Sequence, residues 1–548
     1  MRRPKLAGGL VAWAAYLLFT LIIFSPLLFR VSSHILADDG FRSPGRSDAY
    51  DFLWTYWWIQ KSVLAWKNIY QCNWVFPPAG ANLYFHTHVI LPTILTLPLG
   101  LLLGPVGGFN SMIVLMLSGG AAVYRAFLRH TIRLTPAASF IGGGLFGFSP
   151  YFVFKTHAHI NMVGAVFWAG CLAVLVHAYL RNQFGWRRGL LFSLCLWATF
   201  WTSFVECFAL LVACAVVVVV FEVWGLRTTP KVRVRDRLAF FAMAIPGAVS
   251  LWSMVNATSI RGADMALATS LRLVDLLAAP RLSIAWRVWA SLRYRLAGPF
   301  SSTPEEYWGS HLPVVFVVLA VLGAAALRKG SSTRKETAAV SVVAVVLFVF
   351  ALDPFQAPST LIRLLPMGSG FRVFGRFLPF SYFFLLVLAG HGVECVLAWR
   401  SRAGAYAWGC LALLAFVELY PWHLAPMPVK QFIVPDAVAA DGARGVFTLV
   451  VPRAAFNTVD DTYQVSMNVP VVQRTYLSRE DDAITAARVQ RFPLLYADHP
   501  ELSAGLLEEM RAAHVGYVLF EDKRQYAAST FAGETVAEAG GAILVRYR

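Results

Sequence analysis

The chain has 548 residues, of which 58% are hydrophobic and 14% are charged, and its mean hydropathy is +0.59. This composition excludes a water-soluble globular protein and indicates an α-helical polytopic membrane protein. Although the formal net charge is +17, loops that orient helices in a membrane account for most basic residues, so nucleic acid is not an expected partner.

Apolar runs of about membrane-spanning length predict about eleven transmembrane helices. The first follows a basic start and lacks a small-x-small cleavage site, so we expect it to be retained rather than removed as a signal peptide. The runs lie near residues 9–30, 106–124, 136–153, 160–180, 189–202, 204–224, 237–255, 311–327, 336–352, 377–397 and 403–423.

The distribution of basic residues predicts the orientation. With the N-terminus in the cytoplasm, the basic clusters around 125–133, 181–188, 227–237, 328–335 and 400–402 all fall on the cytoplasmic side. If residues 89–104 formed a further span, every later basic cluster would lie on the outer side of the membrane. Its prolines and short length favour an interfacial or re-entrant helix there.

This topology places five segments on the outer face, where we expect the functional site. They are the first outer loop 31–88, the turn 155–160, the large loop 256–310, the loop 353–376 and everything after about 424. Acidic residues of the large loop are candidates for a second acid, and spacing alone selects none of them.

The composition changes after residue 424. Short apolar runs predict buried strands at 445–451, 469–472, 516–520 and 542–545. Residues 480–490 and 501–514 have helical composition. The sequence therefore predicts a transmembrane domain over 1–423 and a small α/β domain over 424–548 on the outer face.

Two aspartates of the first outer loop are candidate catalytic residues. Asp48 and Asp51 lie three residues apart at the start of a predicted helix, so they share roughly one face. One interpretation is helix capping and interaction with the helix dipole. The other is a general base for a hydroxyl acceptor, with the second carboxylate holding the acceptor or a metal.

Aromatic residues and histidines follow in the same loop. The aromatic residues fit either an interfacial belt or a sugar-stacking platform, with the belt favoured for at least two of Trp54, Tyr56, Trp57 and Trp58. His86 and His88 fit either a metal pair or water-facing side chains, and the second interpretation is favoured.

A polar turn follows Pro150, which interrupts the third predicted helix. Lys155, His157, His159 and Asn161 crowd this turn and provide the cations and donors that a phosphate group needs at headgroup depth. An ordinary solvated turn is the alternative.

Two arginines lie where the tenth predicted helix begins. Arg372 and Arg376 are on the outer side, against the positive-inside bias, which favours a specific anionic partner such as a lipid phosphate or pyrophosphate. Contact with ordinary lipid headgroups is the alternative.

Taken together, these motifs resemble the membrane glycosyltransferases of the GT-C superfamily, specifically a bacterial branch with a carboxylate motif in the first outer loop. The matching segments are Ser47-Asp48-Ala49-Tyr50-Asp51 with the tryptophans after it, Pro77-Pro78-Ala79-Gly80-Ala81-Asn82-Leu83, Gly104-Pro105 with Asn110, Phe148-Ser149-Pro150 with His157 and His159, and Phe371-Arg372-Val373-Phe374-Gly375-Arg376-Phe377. They cover residues of about 1–400 in the expected order.

The resemblance implies inverting transfer of a sugar from a polyprenyl-phosphate-linked donor to a glycan, lipid or protein acceptor of the cell envelope. The reaction would occur at the periplasmic face of a bacterial inner membrane. Asp48 takes the role of base and Asp51 is second. Stabilisation of the departing phosphate falls to Arg372 and Arg376, with Lys155, His157 and His159 as further phosphate-binding candidates.

Metal dependence stays open at this point. The chain has histidines where better-known members carry an acidic pair in the second outer loop. No cofactor is therefore assigned, and a divalent metal would have Asp48, His157 and His159 as candidate ligands.

Three other functions remain alternatives. A transporter or flippase of a lipid-linked saccharide would need a polar path, and the few charges within the spans, such as Glu206 and Glu418, lie near helix ends. A polymerase of lipid-linked saccharides shares the same substrates. A non-catalytic membrane scaffold would bind a partner through its tail.

Overall fold

A computed structural model describes much of the chain. The described residues are 4–36, 48–75, 80–83, 86, 88–157, 159–223, 234–243, 245, 312–327, 334–353, 356–365, 374–399, 402–421, 426–429, 434–444, 446–451, 464, 467, 471–472, 491, 503–520, 522–529, 531–539 and 541–547. The large outer loop 256–310, Arg372 and the predicted helix 480–490 lie outside these residues.

The chain divides into two compact units. Unit 1 comprises Met1–Ser25, Ile113–Thr156 and Ile160–Leu424, and unit 2 comprises Pro26–Met112, His157–His159 and Ala425–Arg548. The first outer loop and the tail therefore belong to the same unit, and the turn after Lys155 contributes to both.

The first half of the chain is mainly helical. Its elements are α1 (Pro4–Ile23), α2 (Ser25–Leu28), β1 (His34–Leu36), α3 (Asp48–Leu64), β2 (Gln71–Cys72), β3 (Ala81–Asn82), α4 (Ile90–Leu95), α5 (Leu97–Phe127), a π-helix (Leu128–Ile132), α6 (Pro136–Gly147), α7 (Pro150–Lys155), a 3₁₀-helix (Ile160–Val163), α8 (Ala165–Leu180), α9 (Trp186–Phe200) and α10 (Phe204–Val223). Residues 234–243 are also helical.

The second half adds helices and a sheet. Its elements are α11 (Val314–Leu327), α12 (Arg334–Leu352), α13 (Ala357–Arg363), a 3₁₀-helix (Phe374–Phe377), α14 (Leu378–Ala398), α15 (Arg402–Leu419), β4 (Pro426–Pro428), α16 (Asp436–Ala443), β5 (Phe447–Val451), β6 (Val471–Val472), α17 (Ala504–Ala512), β7 (Val515–Phe520), α18 (Lys523–Ala528), β8 (Gly533–Ala539) and β9 (Ala542–Tyr547).

Six helical segments of the described chain are long and apolar enough to cross a membrane, which supports a multi-pass membrane protein. They are Leu97–Ile132, Pro136–Lys155, Ile160–Leu180, Phe204–Val223, Lys335–Leu352 and Phe374–Ala398. Three shorter apolar helices, Gly8–Ile23, Val314–Leu327 and Gly404–Leu419, coincide with other predicted spans. The total of about eleven spans and the orientation stay predictions.

Proline and glycine set several helix boundaries. Pro150 begins α7 after α6 ends at Gly147, as the sequence predicts. Gly104 has a φ of +76° inside α5, a conformation that glycine adopts without steric cost. The stretch 89–104 therefore forms α4 and a short first segment of α5, and its interfacial position stays a prediction.

The tail of unit 2 contains a five-stranded sheet with the strand order β6-β5-β7-β9-β8. Strands β6, β5 and β7 are parallel, whereas β9 runs antiparallel to both β7 and β8. Alternate residues fill two cores: Val518 and Phe520 pack with Leu506 and Met510 of α17, and Leu519 lies in the other core. Because successive side chains point to opposite sides, both faces of the sheet are buried.

The four predicted strand segments coincide with β5, β6, β7 and β9. Apolar runs do not predict strand β8, because its sequence Gly-Glu-Thr-Val-Ala-Glu-Ala contains none and most of its residues are exposed at the sheet edge. The assignment of 424–548 as a separate domain stays a prediction.

Gln464 connects early and late residues of unit 2. Gln464 accepts a hydrogen bond from Trp54 Nε1 at 2.6 Å and donates one to the Trp74 carbonyl at 2.8 Å. Both Gln464 and Trp54 are about 1% exposed. Neither partner can exchange these bonds for water, so their loss is costly.

We expect Gln464→Leu to destabilise the protein by about 1–3 kcal/mol, because the variant leaves the Trp54 indole N–H buried without its acceptor. Thermal unfolding in detergent, followed by tryptophan fluorescence, measures the loss. Gln71→Leu makes the same chemical change at an exposed position of unit 2 and is the control. Equal melting temperatures for the two variants would contradict the assignment.

Candidate functional site

Asp48 and His159 form a pair in unit 2. Asp48 is the first residue of α3, and its Oδ2 lies 3.3 Å from Nε2 of His159. The aspartate side chain is 55% exposed, whereas the histidine is 17% exposed. The Asp48 carboxylate is therefore accessible to an incoming molecule and lies beside a mostly buried imidazole.

The two predicted catalytic carboxylates have different surroundings. Asp51 is only partly exposed and lies within the first turn of α3, where its backbone carbonyl accepts a hydrogen bond from Thr55 Oγ1 at 2.7 Å. His159 has Asp48 as a carboxylate partner, and the phosphate role predicted for this histidine stays a prediction.

Helix α3 is held rigidly because it is buried on nearly every side. Trp58 Nε1 donates to the Ile69 carbonyl at 2.9 Å, and the Tyr56 hydroxyl lies 3.1 Å from Thr96 Oγ1. Both the interfacial belt and the sugar-stacking platform are wrong as interpretations, because the aromatic side chains are at most 5% exposed and pack within unit 2: Trp54, Tyr56, Trp57 and Trp58. Their polar atoms find protein partners, as large amphipathic rings require when buried.

The water-facing interpretation of His86 and His88 is also wrong. Both are buried, their rings pack edge to face with centroids 5.6 Å apart, and His86 Nε2 lies 3.1 Å from Thr55 Oγ1. Burial lowers the pKa of His86 to about 3 and that of His88 to about 4. Both are therefore neutral at physiological pH.

No metal site is assembled among the residues that the structure describes. Within them, no group of three or more histidine, cysteine, aspartate or glutamate side chains is placed to hold a metal ion. The three candidate ligands Asp48, His157 and His159 do not form such a group.

Unit 1 contains a second group of functional candidates, here called the cationic cluster: Lys155, Glu206 and Arg376. Lys155 ends α7, Glu206 lies in the first turn of α10, and Arg376 lies in the 3₁₀-helix Phe374–Phe377. Lys155 and Glu206 are each 2% exposed, and Arg376 is partly buried. Three separate chain segments therefore bring charged groups into the interior of unit 1.

The turn after α7 is not an ordinary solvated turn. Lys155, His157 and Asn161 are at most 4% exposed, which contradicts that alternative. Asn161 Nδ2 donates to Ser203 Oγ at 3.1 Å, and the Glu206 backbone N–H donates to the same hydroxyl at 3.2 Å. Ser203 lies between α9 and α10, where the sequence predicts a turn.

Lys155 and Arg376 both act electrostatically on the Glu206 carboxyl group. Buried charges are stable only when paired. Arg372, the other arginine of the predicted phosphate site, lies outside the described residues.

Glu206 is a site candidate that motif spacing does not indicate, because in the sequence it is a single charge near a helix end. The available signal was a carboxylate within an otherwise apolar run, because ionisable residues in membrane helices are commonly functional.

The sequence matches no known protein-family model. It also matches no curated protein.

Among solved structures, a mutant of the arabinofuranosyltransferase AftD from Mycobacteria is similar, with a TM-score of 0.56 and 16% identity over 100% of this chain and 41% of AftD. An oligosaccharyltransferase from Archaeoglobus fulgidus has a TM-score of 0.48 and 10% identity over 92% of this chain and 69% of that one. ArnT from Cupriavidus metallidurans bound to undecaprenyl phosphate has a TM-score of 0.40 and 12% identity over 99% and 97% of the two chains.

The AftD comparison establishes the fold. All of this chain is aligned, and it spans 41% of the length of AftD. The fold predicted from the GT-C resemblance is thereby confirmed, whereas the identity of 16% says nothing about donor or acceptor.

The two buried histidines predict a pH dependence of stability. Their ordinary pKa of 6.5 applies after unfolding, so the unfolded chain binds protons that the folded chain does not as the pH falls below about 6.5. The contribution of these two neutral histidines to the free energy of unfolding is therefore complete above pH 6.5 and declines toward pH 4.

Replacing both residues, as His86→Asn with His88→Asn, should flatten the decline in melting temperature between pH 7 and pH 4.5 by a few degrees. Thermal unfolding of detergent-solubilised protein, followed by tryptophan fluorescence, measures the melting temperature at each pH. His514→Asn, at an exposed position with φ +58° that asparagine tolerates, is the control. An unchanged slope in the double variant would show that these histidines are not neutral when folded.

Proposed function

We propose that this chain, which has the GT-C fold, is an integral membrane glycosyltransferase that uses a polyprenyl-phosphate-linked sugar. The acceptor is a hydroxyl group of a cell-envelope glycan, lipid or protein, and the reaction occurs at the outer face of a bacterial inner membrane. The observation that carries the proposal is the Asp48–His159 pair, in which a half-exposed carboxylate begins a helix that is mostly buried.

Asp48 acts as the general base. One of its oxygens takes the proton of the acceptor hydroxyl while the hydroxyl oxygen attacks the anomeric carbon from the face opposite the phosphate, so the configuration inverts. His159 holds the carboxylate in place through its Nε2.

The phosphate leaves with the electron pair of the broken bond to the anomeric carbon. Its charge grows as the bond breaks, and preorganised cations stabilise such a charge best when water is excluded. Lys155 and Arg376 have this character because they lie in the interior of unit 1. Arg372 and His157 are further candidates for the same role from the sequence.

A transporter of lipid-linked saccharides is the second candidate. The observation that favours it is the burial of charged groups in unit 1, since ionisable residues inside membrane bundles often line substrate paths. A transporter would move the lipid-linked sugar without breaking its phosphate bond.

Release of free polyprenyl phosphate separates these functions. Purified protein in nanodiscs is incubated with a panel of polyprenyl-phosphate sugars and candidate acceptors. Asp48→Asn should lower release about 10²–10⁴-fold, the range of general-base catalysis. Asp436→Asn is a matched control, because Asp436 is an exposed aspartate that also begins a helix of unit 2.

Loss of release in Asp48→Asn but not in the control would support the glycosyltransferase. Equal release in wild type and Asp48→Asn would contradict the role of the base. No release from any donor, together with movement of the lipid-linked sugar across the membrane, would favour the transporter.

His159→Phe distinguishes the two roles considered for this histidine. If His159 positions Asp48, kcat should fall about tenfold while KM for the donor stays unchanged, because only the proton-transfer step is affected. A rise in donor KM with little change in kcat would instead assign His159 to the phosphate. Steady-state kinetics with the active donor measures both constants.

A further inference from the structure

Trp66 is almost fully exposed and has an unusual backbone conformation. It is 96% exposed, and its φ is +53°. It follows the end of α3, where its N–H donates to the Val63 carbonyl at 3.1 Å and the Lys67 N–H donates to the Ser62 carbonyl at 2.8 Å. These two bonds form a helix-ending motif that usually has glycine at the left-handed position.

A tryptophan at this position is not explained by contacts within the chain. The left-handed conformation is costly for a residue with a large side chain, whereas glycine adopts it freely. Burial does not offset this cost, because the Trp66 ring is exposed. A strained residue that gains nothing from the interior favours a role in contact with another molecule.

The end of α3 lies beside a turn of the chain at the start of α5. The Tyr56 hydroxyl lies 3.1 Å from Thr96 Oγ1. One helical turn later, Gln60 Nε2 lies 2.7 Å from the position that a Cβ atom on Gly100 would occupy. Because α3 and this segment advance in the same direction, the next turn of α3, which carries Leu64, lies toward the residues after Gly100.

The chain reverses direction just beyond Gly100. Gly104 has a φ of +76°, and a Cβ atom on Gly108 would lie 2.5 Å from the Gly100 Cα atom. In a continuous helix, two residues eight positions apart would be about 12 Å apart. Leu101 and Leu102 lie at this reversal, and they are 62% and 77% exposed.

These exposed side chains form a surface of unit 2, here called the apolar tip: Leu64, Trp66, Leu101 and Leu102. Lipid is the partner that fits it. The two leucines of the reversal belong to the segment Leu97–Ile132, which is long and apolar enough to cross a membrane. Tryptophan prefers the boundary between acyl chains and headgroups, and the exposed Lys67 beside it suits headgroup phosphates. A sugar would find few hydrogen-bonding groups, because three of the four side chains are leucines.

We propose that the apolar tip anchors unit 2 at the membrane interface. The Trp66 indole lies at headgroup depth, and the side chains of Leu101 and Leu102 lie deeper, among the acyl chains. Transfer of the indole to the interface offsets the strain of the left-handed conformation. The end of α3 is about 24 Å from Asp48 along the helix axis, and the inference does not depend on the proposed function.

Electron paramagnetic resonance of single nitroxide labels tests this placement with the full chain in nanodiscs. Each label is attached through p-acetylphenylalanine, because a thiol-reactive label would also modify the exposed Cys410. The measurement compares collisions with oxygen, which concentrates in lipid, and collisions with a water-soluble nickel chelate. The ratio of oxygen to nickel collisions should be highest at position 102, lower at 66 and severalfold lower again at 514.

His514 is the matched control. It is exposed, follows α17 and has a φ of +58°, so it combines the same backbone conformation with a polar side chain. A label at Ala65, the exposed residue before Trp66, repeats the measurement if substitution of Trp66 prevents folding. The four positions therefore separate a lipid contact from the effect of a left-handed helix end.

The ratio at position 66 decides the outcome. A value as low as that at 514 would overturn the anchor, whatever the value at 102. A label at 66 that neither reagent reaches would also overturn it, because another protein surface would then cover the ring. A low ratio together with slower label motion on addition of a glycan acceptor would assign Trp66 to sugar binding instead. None of these measurements depends on turnover, so the proposed function is tested separately.

Discussion

The burial of charge in a protein with an apolar interior is the constraint on which the functional arrangement depends. Lys155, Glu206 and Arg376 leave bulk water because separate segments of unit 1 bring them together. Ionised groups are costly to bury unless they are paired, so the charge of each group depends on its neighbours.

Helix α3 of unit 2 depends on buried hydrogen bonds rather than on buried charges. Helix α3 has aromatic residues on all sides, and it is stable because each indole N–H or hydroxyl mentioned above has a partner within the unit. Its first residue, Asp48, is the exception, since it remains half exposed beside His159. A rigid helix with an accessible carboxylate at its start is well suited to deliver a base repeatedly to the same position.

Hydropathy and charge predict much of the fold. Apolar runs locate most helices because length and composition decide which segments can cross a membrane. Short apolar runs locate β5, β7 and β9 because both faces of their sheet are covered. The same pattern does not locate strand β8, because an edge strand needs no apolar run.

The surroundings of individual side chains could not be predicted in the same way. The tryptophans after Asp51 have the composition of an interfacial belt. His86 and His88 have the spacing of exposed ligands. Contacts with residues distant in sequence nevertheless bury both groups. Glu206 shows the converse: the cations that act on its carboxyl group, Lys155 and Arg376, lie far from it along the chain. Sequence spacing carries no information about such neighbours.

The position of the donor phosphate tests the central claim most directly. A structure of the full chain in nanodiscs with a non-hydrolysable polyprenyl phosphonate sugar would show it. The account predicts phosphonate density within hydrogen-bond distance of Lys155 or Arg376. Phosphonate bound away from both residues would contradict the proposed role of the cationic cluster.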